Sequence, residues 1–143
     1  MAYVTSNIIF RDGLFRLAVP MSGDQITSEN ISCNDLNDPT LPKGQQTRGS
    51  LTPGAIIFPS SWVTSDVVFS GFLDDTFTNP FDIMTGGSTN GVYTISNCTP
   101  NSQVPLAISI FSNIKYFVIK SIVLQTGSPE PTVIFFPLEQ LSA

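Results

Sequence analysis

The strongest constraint on the fold is a series of short apolar runs between Leu51 and Pro137, separated by proline, glycine, asparagine and aspartate. The run "GAIIF" ends at Pro59, and "VYTIS", "KYFVIKS" and "TVIFFP" are bounded by similar turn residues. In "SDVVFSGFL" (65–73) both alternating faces are largely apolar, as expected for a strand covered on both sides. Eight or more short runs at this spacing are typical of a sandwich or a barrel. The sequence therefore predicts an all-β fold, with only 106–111 equally compatible with a short helical turn.

Composition also favours strands over long helices. Only 12% of the 143 residues are charged, whereas the chain has eleven phenylalanines and is rich in serine, threonine and asparagine. Long helices would need more alanine, leucine, glutamate and lysine. A single domain of this length buries about 68–70% of the surface that its unfolded chain exposes, so it can be stable without a disulfide or a metal ion.

The first fifty residues have a different pattern. Two apolar runs flank Asp12-Gly13, a strong turn signal, which predicts a β-hairpin. Residues 21–50 are polar, contain scattered proline and glycine, and show no sustained period. Long segments of this kind are usually functional or disordered. We therefore expect one domain, with a hairpin and an extended arm over 1–50 and a β-sandwich core over 51–143.

No residue pattern points to enzymatic chemistry. The chain has no histidine, which removes the commonest general base, the commonest metal ligand and every Ser-His or Cys-His nucleophile pair. It contains no phosphate-binding loop, no dinucleotide fingerprint and no paired-cysteine zinc spacing. We expect no catalytic residues, no cofactor and no bound metal. An enzyme that uses only carboxylates is the weakest alternative.

The cluster "LDDTFTNPFD" is the one candidate for a metal or carboxylate site. Asp74, Asp75 and Asp82, with Asn79 between them, supply the oxygen ligands that calcium prefers. The spacing lacks the alternate-residue ligands and closing glutamate of an EF-hand loop. Aspartates at turns ordinarily accept hydrogen bonds from nearby backbone amides, so we favour a hairpin cap over a metal site.

Trp62 has two interpretations. Exposed, it would present a sugar-stacking face, and Tyr93 and Tyr116 would be further stacking residues, with Asp74 or Asp75 accepting bonds from sugar hydroxyls. The apolar residues around Trp62 favour a buried position at the start of a strand instead. A carbohydrate-binding or adhesion module is therefore an alternative function.

Charge and targeting signals limit the partners and the compartment. The formal net charge is −5 with only six basic residues, which disfavours nucleic acid and anionic membranes as partners. The N-terminus lacks the basic start and apolar core of a signal peptide, so we expect synthesis in a cytoplasm. Cys33 and Cys98 are then expected to be free thiols, although spacing alone does not exclude a bridge.

The last part of the chain resembles a group of structural proteins of tailed bacteriophages. The resemblance lies in a tryptophan turn at Trp62, followed by "VVFSGFLDDTFTNPFDIMTGG", "VPLAISIFSNIKYFVIKSIVLQTGS" and the terminal strand "TVIFFPLE". It covers roughly the last 90 residues, the size of one small domain. It implies a jelly-roll-like antiparallel sandwich in the virion.

The resemblance implies a physical rather than a chemical function. Proteins of this kind include capsid cement or decoration proteins, which bind between subunits of the major capsid protein and stabilise the expanded shell. Others are tail or neck components. We expect a protein made in the host cytoplasm, located on the capsid surface, and self-associating as a dimer or trimer.

Apolar residues in a polar arm, and those of the terminal strand, are the candidate contacts to such a partner. They are Ile26, Ile31, Leu36, Leu41, Phe135 and Phe136.

Overall fold

The computed structural model describes residues 8–11, 14–33, 51–74, 76–86, 91–111 and 114–137. Within these residues the chain forms ten strands and one short helix, which confirms the predicted all-β class. The elements are β1 (Ile8–Arg11), β2 (Leu14–Ala18), β3 (Ile31–Ser32), β4 (Leu51–Ile57), β5 (Ser65–Phe72), β6 (Phe81–Asp82), β7 (Ile95–Cys98), β8 (Gln103–Pro105), α1 (Ile108–Phe111), β9 (Tyr116–Ser121) and β10 (Thr132–Pro137).

The strands pair as one long hairpin that has been rolled up. Counting outward from the β5–β6 turn, β5 pairs with β6, β4 with β8, β3 with β9 and β2 with β10, all antiparallel. Two further pairings, β4 with β10 and β5 with β9, close the roll into two sheets. The sheet orders are β1-β2-β10-β4-β8 and β3-β9-β5-β6, with β7 also on β5. Nested antiparallel pairs divided between two packed sheets make a jelly roll, with β1 as an added edge strand.

The core lies between the two sheets and is built from alternate residues of the long strands. In β9, for example, Phe117 and Ile119 are fully buried in the core. The corresponding inward residues of the other strands include Phe15, Leu17, Val67, Phe69, Val133 and Phe135. Phe69, Phe111 and Phe117 contact one another through their rings, with centroids 5.1 to 6.2 Å apart. The period-two pattern of the sequence is therefore the pattern of core burial.

The boundary at residue 51 differs from the prediction. β2 lies inside the first sheet between β1 and β10, and β3 pairs with β9 in the second. Met21, Ile31 and Cys33 are buried in the same core as the later strands. The described part of the expected arm, 21–33, thus belongs to the sandwich: it contains the isolated bridges Met21–Ser28 and Thr27–Lys120 and the strand β3. Leu36 and Leu41 lie outside the described residues.

Two smaller predictions are resolved by the structure. The strands flanking Asp12 and Gly13 pair antiparallel with Arg11 opposite Leu14, the register of a two-residue hairpin. The segment that fitted either a strand or a helical turn contains the helical turn α1.

The strand directions give the sandwich two distinct ends. The β2–β3, β4–β5, β7–β8 and β9–β10 connections meet at one end, here called the apical end. The Phe58 amide in the β4–β5 connection donates to the Ser102 carbonyl in the β7–β8 connection. The Val19 amide in the β2–β3 connection donates to the Pro131 carbonyl in the β9–β10 connection. The β5–β6 connection, with Leu73, lies at the opposite end. β5 has eight residues, so the two ends are roughly 23 Å apart along it.

Candidate functional surface

Four large apolar side chains are exposed together at the apical end. Ile122, Val123 and Leu124 follow β9 directly and are 62%, 42% and 57% exposed. Ile26, in the β2–β3 connection, is 38% exposed, and its carbonyl accepts a hydrogen bond from the amide of Ser121 (2.8 Å). We call these four residues the apical patch. Three consecutive exposed aliphatic residues are unusual on a protein surface, and exposed apolar residues grouped in this way make a candidate interaction site.

The backbone of the apical patch is held by a buried serine. Ser65, at the start of β5, is 4% exposed, and its Oγ accepts hydrogen bonds from the amides of Ile122 and Val123, each 3.0 Å long. Ser121 Oγ lies 3.0 Å from Ser65 Oγ and also contacts the carbonyl of Val123. The segment is therefore fixed with its amides turned inward and its side chains in solvent.

A buried glutamine completes this support. Gln125 is 1% exposed, although glutamine is mostly found at protein surfaces. Its Oε1 accepts the Val63 amide (2.8 Å), and its Nε2 donates to the Val63 carbonyl (2.9 Å) and to Ser121 Oγ (2.9 Å). A satisfied buried polar network makes a loop rigid, because any displacement would leave buried donors and acceptors without hydrogen-bond partners. We call Ser65, Ser121 and Gln125 the buried network.

The β2–β3 connection is ordered by Asp24. Its Oδ1 accepts the amides of Ile26 and Thr27, each at 2.9 Å, and the hydroxyl of Ser22 at 2.8 Å. These bonds favour the carboxylate, so the pKa of Asp24 is below its usual value, chiefly because of the Thr27 amide and then the Ile26 amide.

Side chains tie the two apical loops to each other. Gln25 Nε2 donates to Ser128 Oγ (2.8 Å), and the Ser128 amide donates back to Gln25 Oε1 (3.0 Å). The amide of Gln125 donates to the carbonyl of Gln25 (2.9 Å). Gln25 and Ser128 both have positive φ, 59° and 50°, a conformation that such residues adopt rarely. The apical patch is thus presented by two interlocked loops.

The six predicted contact residues have different locations. Ile26 belongs to the apical patch. Ile31 and Phe135 are fully buried in the chain's own core, so they offer no surface to a partner in this fold. Phe136 is partly buried, and its ring occupies the space above Gly54, where an added Cβ would lie 1.9 Å from it. Leu36 and Leu41 were predicted on residues that the structure does not describe.

In the aspartate cluster, Asp74 accepts local hydrogen bonds within the β5–β6 connection. Asp74 Oδ1 accepts the Thr76 amide (3.0 Å) and contacts the Thr76 hydroxyl, and these bonds lower the pKa of Asp74, the hydroxyl being the larger cause. Asp82 is exposed in the short strand β6, and Asp75 is outside the described residues. Among the residues described, no three acidic, cysteine or histidine side chains come close enough to bind a metal ion.

The aromatic residues proposed for sugar stacking are largely occupied within the fold. Trp62 is 2% exposed and packs on Phe58 with ring centroids 4.8 Å apart, as the core interpretation predicted. The Tyr93 hydroxyl accepts the amide of Ala107 (3.2 Å). Tyr116 packs edge-to-face with Phe77 at 5.6 Å. These side chains do not form an exposed stacking platform.

Both cysteines are free and buried. Burial raises the pKa of the Cys33 thiol well above its usual range and that of Cys98 to about 11, with a smaller contribution from the Asp66 carboxylate to the latter. Neither sulfur is therefore an activated nucleophile.

Comparisons with protein-family models, curated proteins and solved structures found no match. In the part of the chain that the structure describes, no helix is long and apolar enough to cross a bilayer.

Proposed function

We propose that this chain is a non-enzymatic structural protein of a virion, a cement or decoration protein that binds between major capsid protein subunits and stabilises the expanded shell. The observation that carries the proposal is the apical patch: an apolar surface that the buried network keeps rigid and exposed. The resemblance of the sequence to phage structural proteins supports the choice of partner. The jelly roll agrees with it, although a fold alone does not specify a function.

The size of the apical patch is compatible with this mode of binding. Its exposed fractions add up to about two whole aliphatic side chains, so complete burial contributes roughly 3–6 kcal/mol. Association opposes this with about 4–15 kcal/mol of lost freedom. A single copy would thus bind modestly through the patch alone. Contacts outside the patch, together with self-association into a dimer or trimer, would strengthen attachment to a repetitive shell by avidity.

Binding to the assembled shell would stabilise it by mass action. At a free concentration of about 100 times Kd, each occupied site adds about 2.7 kcal/mol to the bound state. Repetition over a symmetric shell multiplies this effect.

Co-sedimentation of the purified chain with empty, expanded heads of the phage that encodes it tests the proposal. We expect saturation at a fixed number of copies per shell and increased heat resistance of the heads. Binding to purified tails but not to heads would assign the chain to the tail or neck. Binding to neither would refute a virion structural role.

A further inference from the structure

The surroundings of the apical patch carry information about its partner. Four exposed carboxylates lie on the same loops and strand ends: Asp24, Glu29, Asp66 and Glu130. We call them the acidic rim. Lys120, whose backbone forms an isolated β-bridge with Thr27, is the one basic residue of the described chain at this end. Four negative charges against one positive charge leave a formal charge of −3 around an aliphatic centre.

The residues of the acidic rim neighbour the patch along the chain or through hydrogen bonds. Asp24 accepts the Ile26 amide through its side chain, and Asp66 accepts the Ile122 amide through its carbonyl (3.1 Å). Glu29 follows Ser28, whose amide bonds to Ile119, and Glu130 lies in the same β9–β10 connection as Leu124. The Asp66 carboxylate itself accepts the amide of Asn97 (2.8 Å). All four carboxylates are therefore carried by the loops and strand ends that also carry the patch.

This charge pattern indicates which kind of partner the apical patch can bind. Two copies meeting through their apical ends would bring two acidic rims together, and like charges facing across an interface oppose association. An anionic lipid surface or a nucleic acid would be repelled in the same way. A protein surface with lysine and arginine around an apolar depression is attracted by both parts of the site.

We infer that the apical patch inserts into an apolar pocket of a partner protein and that basic residues border this pocket and pair with the acidic rim. The inference rests on the proposed function in taking the apical patch as the binding surface, and it adds the chemistry of the partner site. Aliphatic contacts at the centre would set the dissociation rate, and the surrounding charges would accelerate association.

Two synthetic amphipathic peptides test this on the intact chain: one of leucine and lysine, the other with glutamate in place of each lysine. We expect the leucine–lysine peptide to bind saturably, with NMR shift changes at 24–26 and 122–125, and to weaken as salt rises. The glutamate peptide should not bind. Ile122→Ser and Leu124→Ser should each reduce affinity about tenfold.

Matched controls distinguish binding at the apical patch from nonspecific hydrophobic binding. Leu73→Ser removes a leucine that is 87% exposed and precedes Asp74 at the opposite end, and it should leave binding unchanged. Replacing Glu29 and Glu130 by glutamine should weaken binding two- to threefold each and flatten the salt dependence. Equal binding of both peptides, equal binding by the apical variants, or no binding would overturn the inference. So would apical self-association that Leu124→Ser abolishes.

The same variants distinguish this inference from the proposed function. If heads bind the wild-type chain and the Ile122→Ser and Leu124→Ser variants equally, the inference about the apical site fails and the virion role stands. If the leucine–lysine peptide binds at the apical patch but heads and tails do not bind, the virion role fails and the partner chemistry stands.

Discussion

Replacing Gln125 by alanine should strongly destabilise the chain, because this side chain is the centre of the buried network. The substitution leaves the amide and the carbonyl of Val63 without their hydrogen-bond partner, since they are bonded to the Gln125 side chain at 2.8 and 2.9 Å. Leaving one such group unpaired and desolvated costs about 1–3 kcal/mol. Because both bonds are only partly buried, each group should cost an amount near the lower end of this range. Together with the cavity left by the shortened side chain, we expect a loss of roughly 3–4 kcal/mol from the free energy of unfolding.

Urea denaturation measures this loss directly. With a urea m-value of about 2 kcal/mol/M, the midpoint should fall by roughly 1.5–2 M. Amide hydrogen exchange at Ile122 and Val123 should accelerate, since their acceptor Ser65 is held by the same network. Gln103→Ala is the matched control, because Gln103 is an exposed glutamine in β8 and its replacement should change stability by less than about 0.5 kcal/mol.

A glutamate at position 125 separates lost hydrogen bonds from lost volume. It keeps the shape of glutamine and an acceptor for the Val63 amide, but it brings a buried acid into the network. Burial raises the pKa of such an acid above its unfolded value of about 4.3, so the folded state retains the proton longer. Stability of Gln125→Glu should therefore fall as pH rises from 4 to 7. A loss below about 1 kcal/mol for Gln125→Ala, or a pH-independent Gln125→Glu, would refute this account of the loop.

Two further predictions concern packing and the thiols. Gly54→Ala would place a Cβ 1.9 Å from the ring of Phe136 and should destabilise the chain by about 1–3 kcal/mol in urea denaturation. Gly23→Ala is the control and should be neutral, because nothing lies within 4 Å of the added Cβ. Equal effects of the two substitutions would contradict the packing described for β4 and β10. Cys33 and Cys98 should react with a disulfide reagent at pH 8 only at the rate of unfolding, and fast labelling of the folded chain would contradict their burial. Because folding raises the pKa of both thiols, the free energy of unfolding should decline once pH exceeds the unfolded thiol pKa of about 8.5.

The strands were predictable because their signals are local. Pro59 closes the run that forms β4, and Pro137 is the last residue of β10. Alternation in "KYFVIKS" predicts that Phe117 and Ile119 face the core, and both are fully buried there. On the other face Tyr116 and Lys120 are partly exposed, but Val118 is only 3% exposed. These patterns depend on period two and on turn residues, which need no knowledge of the partner strand.

The position of residues 21–33 was not predictable in the same way. Isolated apolar residues such as Met21 and Ile31 in a polar segment show no period, and the segment resembles a mobile arm. Ile31 is placed by pairing with Phe117 far along the chain, in a strand of only two residues. Non-local pairing of this kind leaves no local trace in a single sequence.

The candidate site lay between these extremes. "SIVLQ" breaks the alternation after Ser121, and three consecutive apolar residues before a turn are a signal that one sheet face cannot bury them all. The exposure of Ile122 and Leu124 could have been suspected from this break. The buried role of Gln125 could not, because its partner Val63 is 62 residues away.

The central claim is that the apical patch is the surface that binds the shell, and hydrogen exchange on shell-bound protein tests it most directly. Comparing the free chain with the chain on expanded heads, we expect protection gained at 22–28 and 121–128 and unchanged exchange around Leu73 at the opposite end. Protection confined to the Leu73 end, or none at the apical loops of bound protein, would contradict the account.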